Sequence, residues 1–202
     1  MDKKIWNRGT AHLTSACPIM GRLIAAYPGE GLTRREDGFY TLLRAVVGQQ
    51  ISVKAADAIW RRMEQNIRPL TPEKLARIRI NSLRALGLSE QKAGYAKNIA
   101  RFWMETNPNW QDFSDEEVIA ALTRIKGVGR WTAEMFLMFH LTRTDVLPLK
   151  DLGLLKAMDL HYPARRPRKT ADYEALAEDW RPYRSIATWY LWRALDPIPV
   201  EY

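Results

Sequence analysis

The chain is poor in cysteine, in long apolar runs and in alternating strand patterns, and each shortage removes a class of protein. Cys17 is the single cysteine of 202 residues, which excludes a disulfide framework, a four-cysteine zinc site and a cluster-ligating cysteine set. A reducing, cytoplasmic setting is therefore expected. No stretch approaches the ~18 apolar residues of a membrane span, and Met1-Asp-Lys-Lys-Ile-Trp lacks an apolar run of signal-peptide length. A soluble protein without membrane contact is expected. No internal repeat or low-complexity tract occurs, and no alternating strand of useful length. Apolar residues recur with helical spacing nearly throughout, so the fold class is read as all-α.

What remains is a basic, moderately apolar chain. At 47% hydrophobic content it can bury one substantial core, or two small lobes sharing an interface, but not two independent domains. Lys and Arg number 31 against 23 Asp and Glu, for a net charge of +8. Such an excess suits a nucleic-acid partner, although solvated helix faces produce the same count.

Helix signals divide the chain. Residues 10 to 27 read as one helix, ended by Tyr27-Pro-Gly, with a polar loop from 30 to 38. Phe39, Leu42, Leu43, Val46 and Val47 form one apolar face, ending near Gly48, and Ser52 is placed to cap the next helix through Met63. Thr71-Pro72 opens another. Ser114 and Glu117 have capping-box spacing for a helix to about Arg124. Residues 130 to 141 are strongly apolar, Asp151 sits where a helix through Leu160 starts, Thr170 caps a helix to Trp180, and Pro182 opens the last, to about Leu195. Pro163 to Lys169 is basic and proline-broken; the tail from Pro197 to Tyr202 is expected to be extended.

The richest segment is Leu122-Thr-Arg-Ile-Lys-Gly127-Val-Gly129-Arg-Trp131, followed by Pro148-Leu-Lys-Asp151-Leu-Gly-Leu154. Helix, glycine-flanked turn and apolar helix make a helix-hairpin-helix, whose turn amides suit a backbone phosphate without reading base edges. Taken alone, a Gly-x-Gly turn reads first as an ordinary tight connection between packed helices, and Asp151 first as a helix cap.

Taken together, these segments resemble the helix-hairpin-helix (HhH-GPD) DNA glycosylase superfamily, and most closely its alkylation-repair branch, the 3-methyladenine DNA glycosylase II group. Val46-Val-Gly-Gln-Gln-Ile-Ser52 is similar to the family's Gly-Gln segment, Leu86-Gly-Leu-Ser-Glu-Gln-Lys92-Ala-Gly-Tyr95 to the segment that follows it, and the hairpin with Leu147 to Leu154 to its catalytic stretch. With Pro182-Tyr-Arg-Ser185, the resemblance spans roughly residues 39 to 195.

The resemblance implies a compact two-lobed helical core, with lobes near 39–130 and 1–38 plus 131–202 and the hairpin at about 115–141. It implies no extra β-domain, for which the chain has no room, and no iron–sulfur cluster. Residues 1 to 38 are expected to return to the C-terminal helices. The implied partner is double-stranded DNA containing damaged bases, met as a monomer, since no oligomer interface is readable.

By the same match, Asp151, twenty positions after Trp131, is the catalytic carboxylate facing the sugar. Breaking the bond from base to deoxyribose develops positive charge on the sugar, which an ionised carboxylate stabilises. One carboxylate suffices when the leaving base is already cationic, as N3- and N7-alkylated purines are. Trp131 stands where bifunctional relatives carry a Schiff-base lysine, so base release without strand cleavage is implied. Its electron-rich face would wall the base pocket, with Trp192 as a second wall. Gln49 and Gln50 are implied to face DNA, Gln50 at the position of the wedge that fills the flipped-out gap. Gly127, Gly129, Lys126 and Arg130 are the implied phosphate contacts, with Lys54 and Lys92 as further candidates. No cofactor is required; Thr123, Ile125 and Val128 are implied to offer backbone carbonyls to a Na+ or K+ ion. The same scaffold acting on hypoxanthine, uracil or oxidised bases, or a non-catalytic damaged-DNA-binding module, stays open at this level.

Overall fold

A computed structural model describes residues 1–195 except Glu30, Asn107 and Arg165; the expected extended tail from 197 lies outside the described residues. Among the described residues the elements are helices and turns, with no strand. They run α1 (Lys3–Ala16), α2 (Pro18–Ala26), α3 (Gly38–Gly48), α4 (Val53–Asn66), α5 (Pro72–Arg77), α6 (Ile80–Ala85), α7 (Glu90–Glu105), α8 (Asp115–Thr123), α9 (Arg130–Phe139), α10 (Leu152–His161), α11 (Thr170–Leu176) and α12 (Arg184–Leu195), with short 3-10 turns at Trp110–Asp112 and Glu178–Trp180.

The single helix expected over residues 10 to 27 is two. Pro18 has no N–H and forces the residue before it out of helical geometry; Cys17 is extended at φ −143°, ψ 112°, ending α1 and opening α2. Similarly, α11 stops at Leu176 and yields to the 3-10 turn, Lys169 rather than Thr170 is its N-cap, and α12 begins at Arg184 rather than Pro182. The other caps form as their side chains dictate: Ser52 Oγ accepts from Ala55 N–H (3.3 Å), Thr71 caps α5, and Ser114 and Glu117 close a reciprocal capping box on α8.

The chain divides into two units, Met1–Arg34 with Thr142–Glu201, and Arg35–Leu141. The boundary falls after Leu141 instead of at 130. Thr132 through Phe139 are all buried, and α9 packs on α3 and α8, so the apolar face of α9 belongs to the middle unit.

In the first unit α1 and α2 pack with α12, and α12 with α10, as expected for an N-terminal segment that returns to the C-terminal helices. Trp6 meets Trp189 edge-on at 5.4 Å. A Cβ at Gly9 would sit 2.3 Å from Ile186 Cδ1, so glycine is what lets α1 approach α12. Leu154, Ala157 and Met158 turn α10 inward, against Ile186 to Trp192 of α12.

The middle unit is built on α3, buried at Gly38, Phe39 and Thr41 to Val47 and packed by α7 and α9. Trp103, Trp110 and Phe136 form an aromatic cluster with centroids 5.4–6.2 Å apart. Arg44, buried on α3, is neutralised by Asp57 and lies over the Trp60 ring at 5.5 Å.

Candidate active site

Asp151 ends the connection after Leu141 and is the N-cap of α10. Its N–H donates to the Pro148 carbonyl (2.8 Å), closing a turn that delivers the carboxylate to the helix start. Oδ1 then accepts from Leu154 N–H at 2.6 Å and from the Trp192 indole N–H at 2.9 Å. The residue is only 5% exposed. Two N–H donors on one oxygen fix the rotamer and compensate a negative charge held largely out of water. The helix cap read from spacing is therefore present, and the same oxygen that caps α10 also accepts from Trp192. A Cβ at position 153 would lie 3.1 Å from Asp151 Oδ1 and 3.6 Å from Trp192 Cδ1, and Gly153 leaves that space to them.

Trp192 differs from its expectation as a pocket wall. It is 3% exposed, on the inward side of α12, and its indole N–H is committed to Asp151. It sets the carboxylate instead of presenting an open face. Lys150 and Leu152, on either side of Asp151, are exposed.

The hairpin lies in the middle unit. Ile125 N–H bonds to Leu122 O (3.0 Å) and Val128 N–H to Ile125 O (2.9 Å), tightening the turn after α8. Gly127 has φ 106°, and a Cβ there would fall 2.0 Å from the Tyr95 ring. Both conformation and space demand glycine. Gly129 is different: its backbone is extended (φ −95°, ψ 175°) as N-cap of α9, and a Cβ would meet nothing within 4 Å. Lys126 is exposed, and its carbonyl accepts from Asn98 Nδ2 at 3.1 Å.

Thr123, Ile125 and Val128 follow one another around this turn. The Thr123 hydroxyl turns back to Ile119 O (2.7 Å), leaving carbonyls as the oxygens available, and Ile125 O already accepts one N–H. Any ion held here would meet neutral carbonyl oxygens and no carboxylate of these three residues.

Arg130 departs from its expected phosphate contact. Its guanidinium is paired with Glu116 on α8 (Nη2 to Oε1, 2.5 Å) and with the buried Glu134 (3.0 Å), so its charge is already matched within the hairpin. The Glu116 carboxyl is held below its ordinary pKa by that hydrogen bond. Trp131, second residue of α9, is half-buried at the end where the helix leaves the buried core.

The two glutamines also part ways. Gln49 Nε2 donates to Gly127 O (3.1 Å) and Thr132 Oγ1 (2.9 Å), turning inward to tie the end of α3 to the hairpin. Gln50 is exposed, with φ 57°, a left-handed conformation uncommon for a side-chain-bearing residue. Lys92 was a candidate phosphate contact; instead its ammonium donates to Val47 O (2.7 Å) and Gln49 O (2.6 Å), satisfying the last carbonyls of α3, and burial lowers its pKa. Lys54 is exposed on α4. Thr132, Tyr95 and Asn98 also hold the turn; Tyr95 lies in a segment that carries the resemblance, and for Thr132 the sequence signal is a lone hydroxyl within the apolar run of α9.

Comparison with known proteins identifies the family. Residues 43–182 match the family model for the HhH-GPD superfamily base excision DNA repair protein. The chain is 35% identical over 181 residues to DNA-3-methyladenine glycosylase 1 of Schizosaccharomyces pombe, covering 85% of this chain and 78% of that one. It is 32% identical to DNA-3-methyladenine glycosylase 2 of Escherichia coli, covering 86% of this chain and 63% of the relative. Among solved structures, the Schizosaccharomyces pombe 3-methyladenine DNA glycosylase in complex with abasic DNA superposes with a TM-score of 0.81 at 30% identity, covering 92% of this chain and 95% of that one. The chain belongs to the HhH-GPD superfamily of base excision DNA repair proteins.

Proposed function

We propose that this protein is a monofunctional DNA glycosylase that flips alkylated purines of the 3-methyladenine and 7-methylguanine type out of duplex DNA and releases them by hydrolysis, leaving an abasic site. The observation that carries the proposal is Asp151, a buried carboxylate fixed by two N–H donors within the family match. The names of the relatives support the substrate class.

In this reading the bond from C1′ to the base nitrogen breaks and its electron pair leaves with the base. A cationic purine accepts that pair without protonation by an enzyme acid. Positive charge grows on the deoxyribose, and the preorganised Asp151 carboxylate stabilises it. Water then adds to C1′, losing its proton to the carboxylate or to solvent. Trp131 carries no amine, so no Schiff base forms and the strand stays intact. Its half-buried ring offers a π face to a cationic base.

Gln50 is the residue that enters the vacated stack, while Gln49 and Lys92 hold its turn from within. Gly127, Gly129 and Lys126 meet the phosphate backbone, and the carbonyls of Thr123, Ile125 and Val128 hold Na+ or K+ when the ion is present. The protein works as a monomer.

The test is a set of duplexes, each bearing one lesion: 7-methylguanine, 3-methyladenine, hypoxanthine, uracil or 8-oxoguanine. Release of the methylated purines with an alkali-labile but unbroken strand is expected. Release of the neutral lesions alone would assign the scaffold to a different substrate.

A further inference from the structure

α10 turns apolar side chains to solvent beside the candidate site. Leu152, the residue after Asp151, is 81% exposed, and Leu160 is 63% exposed. Lys156 lies between them, also exposed. Positions four apart share a helix face, so 152, 156 and 160 form one stripe, apolar, cationic, apolar. The opposite face of α10, with Leu154, Ala157 and Met158, fills the core, so Leu152 is not needed to hold the helix in place.

The charge around the stripe is positive. Among the described residues the Lys150 and Lys156 ammonium groups have no ion pair or hydrogen bond. The nearby acid, Asp159, is engaged by Arg168 (2.6 Å) and by the Tyr173 hydroxyl (2.9 Å).

We propose that this stripe is the surface by which α10 grips the DNA strand carrying the target nucleotide, with Leu152 packed on the sugar and base beside that nucleotide and Lys150 and Lys156 on phosphates. The inference rests on the reading of Asp151 as the residue facing the sugar. A DNA strand offers apolar sugar and base surface interleaved with anionic phosphate, which is the pattern of the stripe. A second copy of the chain does not fit. A two-fold contact centred on the stripe sets Lys156 against its own copy, like charge on like charge.

The test is equilibrium binding of fluorescent duplexes, one intact and one holding an uncleavable abasic analogue, to the full chain and to Leu152→Ser, Leu152→Met, Lys150→Ala and Lys156→Ala. Because Leu152 is exposed, the serine variant should melt as the wild type does. It should lose about 10-fold in affinity for the abasic duplex, the size expected when one leucine loses its burial, with the intact duplex little affected and methionine restoring most of the loss. Each lysine variant should lower the slope of log affinity against log salt by about 0.9, the value for one phosphate contact. An abasic preference unchanged within two-fold in Leu152→Ser, or concentration-dependent dimerisation that the serine abolishes, would overturn the proposal. Binding does not depend on turnover, so a wild type that releases no base yet shows the leucine effect refutes the proposed reaction and leaves the surface standing.

Discussion

The indole N–H of Trp192 points at Oδ1 of Asp151 from 2.9 Å, with both residues nearly withdrawn from solvent. A buried carboxylate that must meet a developing cation gains from donors that hold it still and do not reorganise during reaction. In the proposed reaction Trp192 is a positioning residue, acting through Asp151.

Trp192→Phe keeps a buried ring and deletes the donor. Loss of a hydrogen bond to a buried carboxylate costs ~1–3 kcal/mol, so the melting temperature should fall by several degrees. The turnover number should fall about 10-fold or more while KM for methylated DNA changes little, because the carboxylate is misplaced in the transition state and not in substrate binding. Lower stability with kcat intact would reduce Trp192 to core packing.

The two hairpin glycines should answer differently to alanine. At Gly127 the methyl group would fall on the Tyr95 ring and the backbone would stay left-handed, costing ~2 kcal/mol or more. At Gly129 the space is open and the backbone extended, so Gly129→Ala should lose only the ~0.5–1 kcal/mol by which alanine is the poorer N-cap, and bind duplex DNA more weakly. Thermal melts beside DNA titrations separate the two. Equal destabilisation of both would mean that Gly129 is also a folding requirement.

Lys92→Met separates a phosphate contact from an internal brace. The brace leaves the α3 carbonyls of Val47 and Gln49 without their donor, so stability should drop by ~1–3 kcal/mol. The salt dependence of DNA binding should keep its slope, since no phosphate contact is lost. A shallower slope at unchanged stability would restore the phosphate role.

These contrasts mark what was legible in the sequence. Helix positions were readable because capping residues act within a few positions of themselves: Ser52, Thr71 and Ser114 cap as their side chains require, and Asp151 does the same while also meeting Trp192. At Cys17-Pro18 the proline divides what apolar periodicity alone joins into one helix. Orientation was not legible. A lysine in a motif looks the same whether its ammonium meets a phosphate or two carbonyls at the end of α3, forty-odd residues away. Arg130 likewise depends on Glu116, fourteen residues before it and brought near only by the hairpin. For Trp192, the partner that turns an aromatic wall into a hydrogen-bond donor lies forty-one residues upstream.

The acid limb of stability has a readable component at Asp172. Arg166 and the Lys169 backbone N–H hold its carboxyl down to about 2. A depressed folded pKa stabilises above the unfolded value and is lost as pH falls through the folded one. The contribution of Asp172 should therefore be complete above about pH 4 and vanish toward about pH 2. Carboxyl chemical shifts followed by NMR should give a midpoint near 2, rising toward the ordinary aspartate range in Arg166→Ala, where the Lys169 N–H remains. A midpoint near 4 in the wild type would show that the pair does not persist in solution.

The most direct measurement compares wild type with Asp151→Asn on duplex DNA treated with a methylating agent, identifying released material by chromatography. Asparagine preserves the shape and can still accept from Leu154 and Trp192, but removes the charge. Free 3-methyladenine and 7-methylguanine from the wild type, and a loss of at least 100-fold in the variant with duplex binding retained, is the predicted result, in line with removal of a principal electrostatic stabiliser. Equal release by the two proteins would contradict the assignment of Asp151 as the catalytic carboxylate.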